Sequence, residues 1–336
     1  MFDYKEFYRN KRIMITGGLG FIGSTIAHRL VNLNIGTRIL IVDSLAESYG
    51  GNMFNIKGIE NKVKVNYCDI GDIHTMKILI KEADCIFNMA GSPSHVDAME
   101  NPFLDLEINV KDQISLLEAC KEVNRNVKIL FAGTRGQYGK AQYIPVDEKH
   151  PTIYPADPNG INNNAGEQYH LLYNKLYGIR AVSLRLTNTY GPRHLMKHSK
   201  HGFLNWFIRL ALDNKEITPY EPTFIRDFNY IDDVVESMLM VMASNKTNGE
   251  VYNLGAREDS VMTVRDVAKL VVKSAKSGSV KTIPYPEQRL KIEPGDYIGD
   301  YRKIKGTVGW EPKIGLIEGL KRTIDFYRKY KKYYWK

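Results

Sequence analysis

Apolar and polar positions along the chain alternate between two periods. Ile13, Met14 and Ile15 form a short apolar run, as a strand buried on both faces requires. From Ser24 to Asn32 the apolar Ile26, Ala27, Leu30 and Val31 recur at helical spacing. A second apolar run, Arg38-Ile-Leu-Ile-Val-Asp43, is followed by residues 63–70, where apolar and polar residues alternate up to Asp69-Ile70. Cys85 to Ala90 and Val127 to Ala132 are further apolar strands, separated by a helical stretch over 103–123. Strand and helix in regular succession predict an α/β fold with a doubly wound parallel sheet. Its ligands belong at the carboxyl ends of the strands, where the loops emerge.

Composition narrows the class without changing that picture. A chain of 336 residues, 43% hydrophobic and 25% charged, has room for one large or two closely joined soluble domains. No apolar run is long enough to span a bilayer, and MFDYKEFYRN has no secretory apolar core, so a cytoplasmic protein without a membrane span is expected. Cys68, Cys85 and Cys120 are odd in number and lack metal-ligand spacing, which predicts reduced thiols and no metal. The net charge of +9 is concentrated at one end. Lys321, Arg322, Arg328, Lys329, Lys331, Lys332 and Lys336 there face the single acid Asp325. The expectation is the solvated end of a terminal helix rather than a nucleic-acid surface, with a membrane-surface or polyanion contact as the alternative.

The first strand runs directly into Gly17, Gly18, Gly20 and Gly23, and the helical stretch follows at once. Glycines at this spacing let the backbone turn tightly and approach a pyrophosphate at the helix N-terminus, where free N–H groups and the helix dipole favour anions. The next strand ends in Asp43, 20 residues after Gly23. A carboxylate there accepts hydrogen bonds from an adenosine ribose and repels a 2′-phosphate, which favours NAD over NADP.

Other segments extend this reading into a resemblance. Thr16-Gly-Gly-Leu-Gly-Phe-Ile-Gly-Ser24, Cys68-Asp69-Ile70, Ser94-His95-Val96-Asp97, Arg185-Leu-Thr-Asn188-Thr-Tyr-Gly-Pro-Arg193, Arg226-Asp-Phe-Asn-Tyr-Ile-Asp-Asp233, Tyr252-Asn-Leu-Gly255 and Gly309-Trp-Glu-Pro occur in that order. Together they resemble the extended short-chain dehydrogenase/reductases of the nucleotide-sugar epimerase/dehydratase group, over nearly the whole chain. The resemblance implies a Rossmann-type sheet with a smaller C-terminal α/β substrate-binding domain. Residues 1–182 would be the NAD-binding domain, joined by part of 225–255, and 183–336 mainly the nucleotide-sugar domain. It assigns Gly17, Gly20, Phe21, Ile22, Gly23, Asp43, Asp69, Ile70, Ala90 and Asn109 to NAD. It assigns Asn188, Arg193, Arg226 and Asp296 to a nucleotide-diphosphate sugar, with Asp300 beside them. For Arg226, Asp296 and Asp300 an inter-domain ion pair is the alternative. Residues 203–217 resemble the helix over the nucleotide base. A homodimer or higher oligomer packed through residues 103–123 and 162–177 is expected on the same ground.

The family's catalytic centre is a Tyr with a Lys four residues later, the Lys lowering the Tyr pKa so that it takes a hydroxyl proton. Counting back from Ala165-Gly166-Glu167 places Asn159 and Asn163 at those positions. An amide is no base at neutral pH, though it hydrogen-bonds hydroxyls. Thr134, Asn159, Asn163 and His95 are therefore the expected catalytic set, with His95 the one whose ordinary pKa suits proton transfer. Arg135 and Gly136 stand where the dehydratases carry an Asp-Glu pair, which argues against elimination of water. The expected activity is NAD-dependent oxidation of a nucleotide-linked hexose or heptose at C4 to a 4-keto sugar, in surface-polysaccharide sugar synthesis. A 4-epimerase, and a non-catalytic NAD(H)- or sugar-nucleotide-binding scaffold, are the alternatives.

Overall fold

The computed structural model describes residues 3–335. Seven strands form one parallel sheet: β1 (Arg12–Thr16), β2 (Arg38–Val42), β3 (Val63–Asn66), β4 (Cys85–Asn88), β5 (Lys128–Thr134), β6 (Arg180–Leu186) and, at one edge, Glu250–Asn253. Their spatial order is β3-β2-β1-β4-β5-β6 and then Glu250–Asn253. The winding reverses between β1 and β4, which pair in parallel from Ile13 with Cys85 to Thr16 with Asn88. That reversal opens a crevice at the carboxyl edge, since the connections on either side leave in opposite directions.

The strands read as apolar runs because both faces are covered. Ile13, Ile15, Phe87 and Leu130 are buried in one cluster and Met14, Ile86, Ile129 and Ala181 in another. Helix Phe21–Leu33 returns the chain from β1 to β2, and helix Pro158–Tyr177 packs on β5 and β6. The latter starts four residues before the 162–177 segment expected from sequence. The stretch expected as one helix over 103–123 is Pro102–Leu106, a π-helical turn at Glu107–Lys111, and Asp112–Val123. The wider turn carries Asn109 into the crevice.

Beyond β6 a smaller layer forms. Strands β7 (Asn188–Tyr190), β8 (Ile225–Tyr230) and β9 (Val261–Thr263) make a three-stranded sheet, and helices Phe203–Leu212, Val264–Ala275 and Leu316–Tyr330 pack together beside it. The first of these stops at Leu212, and Glu216–Ile217 is a short strand rather than more helix. The aromatic C-terminal residues pack back on the fold: Tyr333 stacks on Phe54 at 3.7 Å while remaining exposed, Tyr334 is buried, and Trp335 donates to Asp213. Tyr334 thus joins the core with Trp335 packed against it, and Lys331 pairs with Asp213. Among the described residues, no helix is long and apolar enough to cross a membrane, and no cluster of three His, Cys, Asp or Glu side chains is arranged for a metal.

One buried cation ties the layers together. Lys128 donates to the carbonyls of Val241 and Ser244 and to the Thr247 hydroxyl at the end of helix Ile231–Ala243. Burial pushes its ammonium down to about 7. Between that value and about 10.4 the unfolded chain binds a proton that the folded chain lacks, so this lysine makes stability rise with pH across the window. In Lys128→Met that rise should be lost in denaturant titrations run from pH 7 to pH 10.

Candidate active site

A cleft of 1380 Å³ follows the carboxyl edge of the large sheet and continues under helix Phe203–Leu212 to residues 218–224 and 285–294. One end is the glycine turn. Gly17 has φ +60°, and a Cβ there would sit 2.7 Å from the Met89 carbonyl oxygen. A Cβ on Gly23 would sit 2.4 Å from the carbonyl oxygen of Gly17. Only hydrogen at Gly23 allows the helix to meet the turn, and only hydrogen at Gly17 allows the turn to meet the chain leaving β4. Gly20 caps the helix without a side chain, so the first turn, with Phe21, Ile22 and Gly23, opens on the cleft. This is an anion cradle by construction.

Asp43 lies beside it, its carboxylate accepting from the backbone N–H groups of Leu19 and Leu45, both at 2.8 Å. Burial raises its pKa while those two bonds oppose the rise. Asp69, Ile70 and Ala90 line the same end. Asn109 also lines it, and exchanges hydrogen bonds with the Ser92 backbone at 2.9 and 3.0 Å. An uncapped helix start, a glycine cradle and a neighbouring carboxylate fit a dinucleotide with its pyrophosphate on the helix.

Comparison with known proteins agrees with this geometry. Residues 13–255 match the NAD dependent epimerase/dehydratase family. The chain belongs to that family. It is accordingly an NAD-dependent enzyme. The chain is 33% identical over 318 residues to a putative UDP-glucose 4-epimerase of Methanocaldococcus jannaschii, covering 94% of this chain and 97% of that one. Among solved structures, the UDP-glucose 4-epimerase of Thermotoga maritima with UDP-glucose superposes with a TM-score of 0.83. It is 28% identical, with 95% and 99% of the two chains covered. The Thermus thermophilus UDP-glucose 4-epimerase with NAD gives 0.82 at 29% identity, with 94% and 99% covered.

At mid-cleft this family member gathers polar groups from three elements. Thr134 ends β5, and its hydroxyl oxygen accepts from the Gly136 N–H at 3.1 Å, leaving the hydroxyl hydrogen for the cleft. His95 begins helix His95–Glu100, and its Cε1 lies 3.1 Å from where a Cβ on Gly136 would stand. The imidazole therefore sits over Gly136, next to Thr134. Its Nδ1 is 2.6 Å from Asp157 Oδ2. Asp157 caps helix Pro158–Tyr177 by accepting from Gly160 N–H at 2.9 Å. Burial pushes this carboxyl up, but hydrogen bonds from His95, Gly160 and Asn159 outweigh burial and hold it below the usual carboxylate range.

Asn159 and Asn163 also line the cleft, yet their amides face inward. Asn159 Nδ2 donates to Ser92 O at 2.7 Å and to Asp105 Oδ2 at 3.0 Å, and Asn163 Nδ2 donates to Asn159 O at 2.9 Å. Asn162 donates to the other oxygen of the same buried Asp105. The Asn159 amide hydrogens are thus engaged by protein acceptors, and a direct donor role toward a reacting hydroxyl does not fit this arrangement.

At the far end of the cleft four expectations, those for Arg226, Asp296, Asp300 and Arg193, meet a different arrangement. Asn188 lines it, with Nδ2 donating to Asp227 O at 3.1 Å. Arg226 lines it too, but its fork is held by the Glu293 carboxylate and by the carbonyls of Gly295 and Ile225, so it forms the ion pair that stood as the alternative. Asp296 does not reach the cleft lining, because its carboxylate accepts from Ile225 N–H at 2.7 Å. Asp300 pairs with Arg302. Arg193 is also outside the lining: it follows the turn at Gly191-Pro192 with φ +73°, and its guanidinium lies 5.8 Å over Phe326 of the C-terminal helix. A motif read along the sequence is not a site when its last residue lies beyond a turn.

Asp157 and Arg135 line the cleft in roles that sequence alone does not assign. Asp157, before Pro158, is legible as a helix cap, but only the fold shows which histidine it faces. Arg135 departs from the dehydratase pattern in sequence, and only the fold shows what it packs against. Its guanidinium lies over Tyr297 at 5.2 Å, and burial, reinforced by Arg226, pushes its pKa down to about 10.

Proposed function

We propose that the chain inverts C4 of a nucleotide-diphosphate hexose, with oxidation of the C4 hydroxyl as the first half-reaction. The carrying observation is one cleft that joins the glycine cradle, the His95–Thr134 cluster and the Asn188 end. The nearly full-length likeness to UDP-glucose 4-epimerases favours epimerisation over the net oxidation expected from sequence, and favours UDP as the nucleotide. The glycine cradle and Asp43 would hold NAD, which would supply the hydride acceptor and donor for C4. Asn159 and Asn163 occupy the Tyr and Lys positions of the family and brace the helix start, so proton transfer falls to His95, with Thr134 holding the hydroxyl. Residues 1–182 with part of 225–255 carry the cofactor, and the rest mainly the sugar nucleotide. We place the reaction in the cytoplasm, in the supply of sugars for surface polysaccharides.

The test is incubation with UDP-glucose and, separately, UDP-galactose. Interconversion without accumulated reduced nicotinamide is expected. Stoichiometric reduced nicotinamide with a keto product would restore net oxidation, and conversion of no nucleotide sugar at all would overturn the reading.

Asp43 gives a separate prediction. Asp43→Ala removes a charged acceptor from the ribose and should weaken NAD binding about 10- to 100-fold, from about 1.5–3 kcal/mol for a hydrogen bond to a charged group. The preference over NADP should shrink in parallel, and calorimetric titration of both cofactors measures each effect.

A dimer through the helices at 102–123 and 158–177 is the proposed assembly. Phe103, Leu106, Ile161, Leu172 and Leu176 are exposed there. Single exposed apolar residues are ordinary, but several on one pair of elements mark a contact face. Phe103→Glu with Leu176→Glu should convert a dimer to monomers in light scattering.

A further inference from the structure

We propose that Asp157 is a positioning residue that sets His95 as the proton acceptor of the site, a role resting on the reading above that His95 performs proton transfer. The helix Pro158–Tyr177 would thereby carry the machinery in its cap rather than in its first turn.

The geometry supports this in three ways. First, the contact is short, 2.6 Å from Nδ1 to Oδ2, and the Asp157 side chain is only 9% exposed while the His95 side chain is 45% exposed. The carboxylate end is fixed and the imidazole reaches outward. Second, an ionised carboxylate only accepts hydrogen bonds, so Nδ1 must carry the hydrogen of the contact. In the neutral ring the lone pair is then on Nε2, the nitrogen away from Asp157. The tautomer is decided by the neighbour, as it is wherever a carboxylate orients a histidine. Third, Asp157 is itself immobilised. Its Oδ1 accepts the Gly160 N–H at 2.9 Å while Oδ2 takes the histidine, so one carboxylate both caps the helix and holds the ring.

The nearest charged neighbours of His95 are engaged elsewhere. Asp105, the other buried carboxylate of the cluster, is engaged on both oxygens by Asn159 and Asn162. Lys200, across the cleft mouth, is paired with Asp97 and Glu100. When the C4 hydroxyl is oxidised, its O–H bond breaks and the proton moves to Nε2; the O–H pair becomes the second carbonyl bond as the C4–H bond breaks and that hydrogen leaves with its electron pair for the NAD that the glycine cradle would hold. The resulting imidazolium faces the Asp157 carboxylate at hydrogen-bond distance, which stabilises the charge where it develops. On reduction the hydride returns to the opposite face of C4 and a proton returns from Nε2 to the oxygen, so nothing is consumed.

The experiment uses full-length Asp157→Asn and Asp157→Ser. Both substitutions preserve a good helix cap. Asn keeps the shape but can present its amide hydrogens to Nδ1, and Ser is too short to reach the ring. Nitrogen-15 NMR of histidine-labelled protein, with His95→Asn to assign the signal, reads the tautomer without any turnover. The expected result is a hydrogen on Nδ1 of neutral His95 in the parent protein and a shift toward the Nε2-protonated form in both variants. With UDP-glucose or UDP-galactose, kcat should fall about tenfold or more, up to the 10²- to 10⁴-fold that a positioned base contributes, with KM unchanged. An unchanged tautomer, or the expected tautomer change with unaltered kcat, overturns the role of Asp157. If His95→Asn itself turns over normally, the underlying assignment of His95 fails first and the proposal falls with it.

Discussion

His95→Asn should lower kcat about 10²- to 10⁴-fold, the usual contribution of a positioned acid–base group. At about 1.4 kcal/mol per tenfold, that is roughly 2.7–5.4 kcal/mol of lost transition-state stabilisation. Asparagine occupies similar space and still donates to Asp157, so the local fold has no reason to change. NAD binding should be unaffected, because the glycine cradle and Asp43 lie at the other end of the cleft. Steady-state kinetics on a nucleotide-sugar pair, together with a cofactor titration of the same sample, separates the two effects. A variant that binds NAD normally and turns over at the parent rate would remove His95 from the mechanism. The remaining candidate in reach of the same hydroxyl would then be Thr134, whose alcohol is a poor base without a partner.

Glu167→Ala is expected to be the most damaging single change for stability, by about 3–5 kcal/mol. Glu167 is fully buried and pairs with Arg185 of β6, whose side chain is 6% exposed. Its second role is to accept from the Ser183 hydroxyl at 2.7 Å. Burial opposes the charge on Arg185, but the adjacent carboxylate outweighs burial and raises its pKa. Arg185 in turn donates to the Tyr138 hydroxyl at 2.6 Å, and Tyr138 donates to Asn253 at 2.7 Å. Removing the carboxylate leaves a guanidinium in the core with no counter-charge, and the loss exceeds whatever the pair contributed when intact. Tyr138 closes the short helical turn that begins at Thr134, so the damage should reach the cleft as well. Glu167→Gln keeps an acceptor and should cost less. Denaturant midpoints of the two variants give the comparison, and a loss below about 1 kcal/mol for Glu167→Ala would mean that water or a rearranged side chain replaces the carboxylate.

Much of the architecture was legible because it follows from local rules. Apolar runs at 13–15, 39–42 and 85–87 read as strands of a covered parallel sheet, and the helical spacing between the first two set their connection. The glycine turn was legible because Gly17 and Gly23 answer to backbone contacts within a few residues or to the adjoining strand. Elements whose ends depend on tertiary packing were less so. Helix Phe203–Leu212 ends where Glu216–Ile217 finds a partner strand at Ser279–Val280, a pairing across more than sixty residues that no local periodicity announces.

The sequence by itself determined the winding of the sheet, the anion cradle at its carboxyl edge and the chemical types available there, since each depends on near-neighbour periodicity, backbone freedom and charge. The tertiary structure alone decided which of those groups meet. It brought Asp157 to His95 across 62 positions, turned the amides of Asn159 and Asn162 toward Asp105, engaged Arg226 with Glu293 and carried Arg193 away to the C-terminal helix. The reason is range: hydrogen bonds and ion pairs act over about 3–4 Å in space. Distance along a chain does not reveal distance in space until the sheet has brought its loops together.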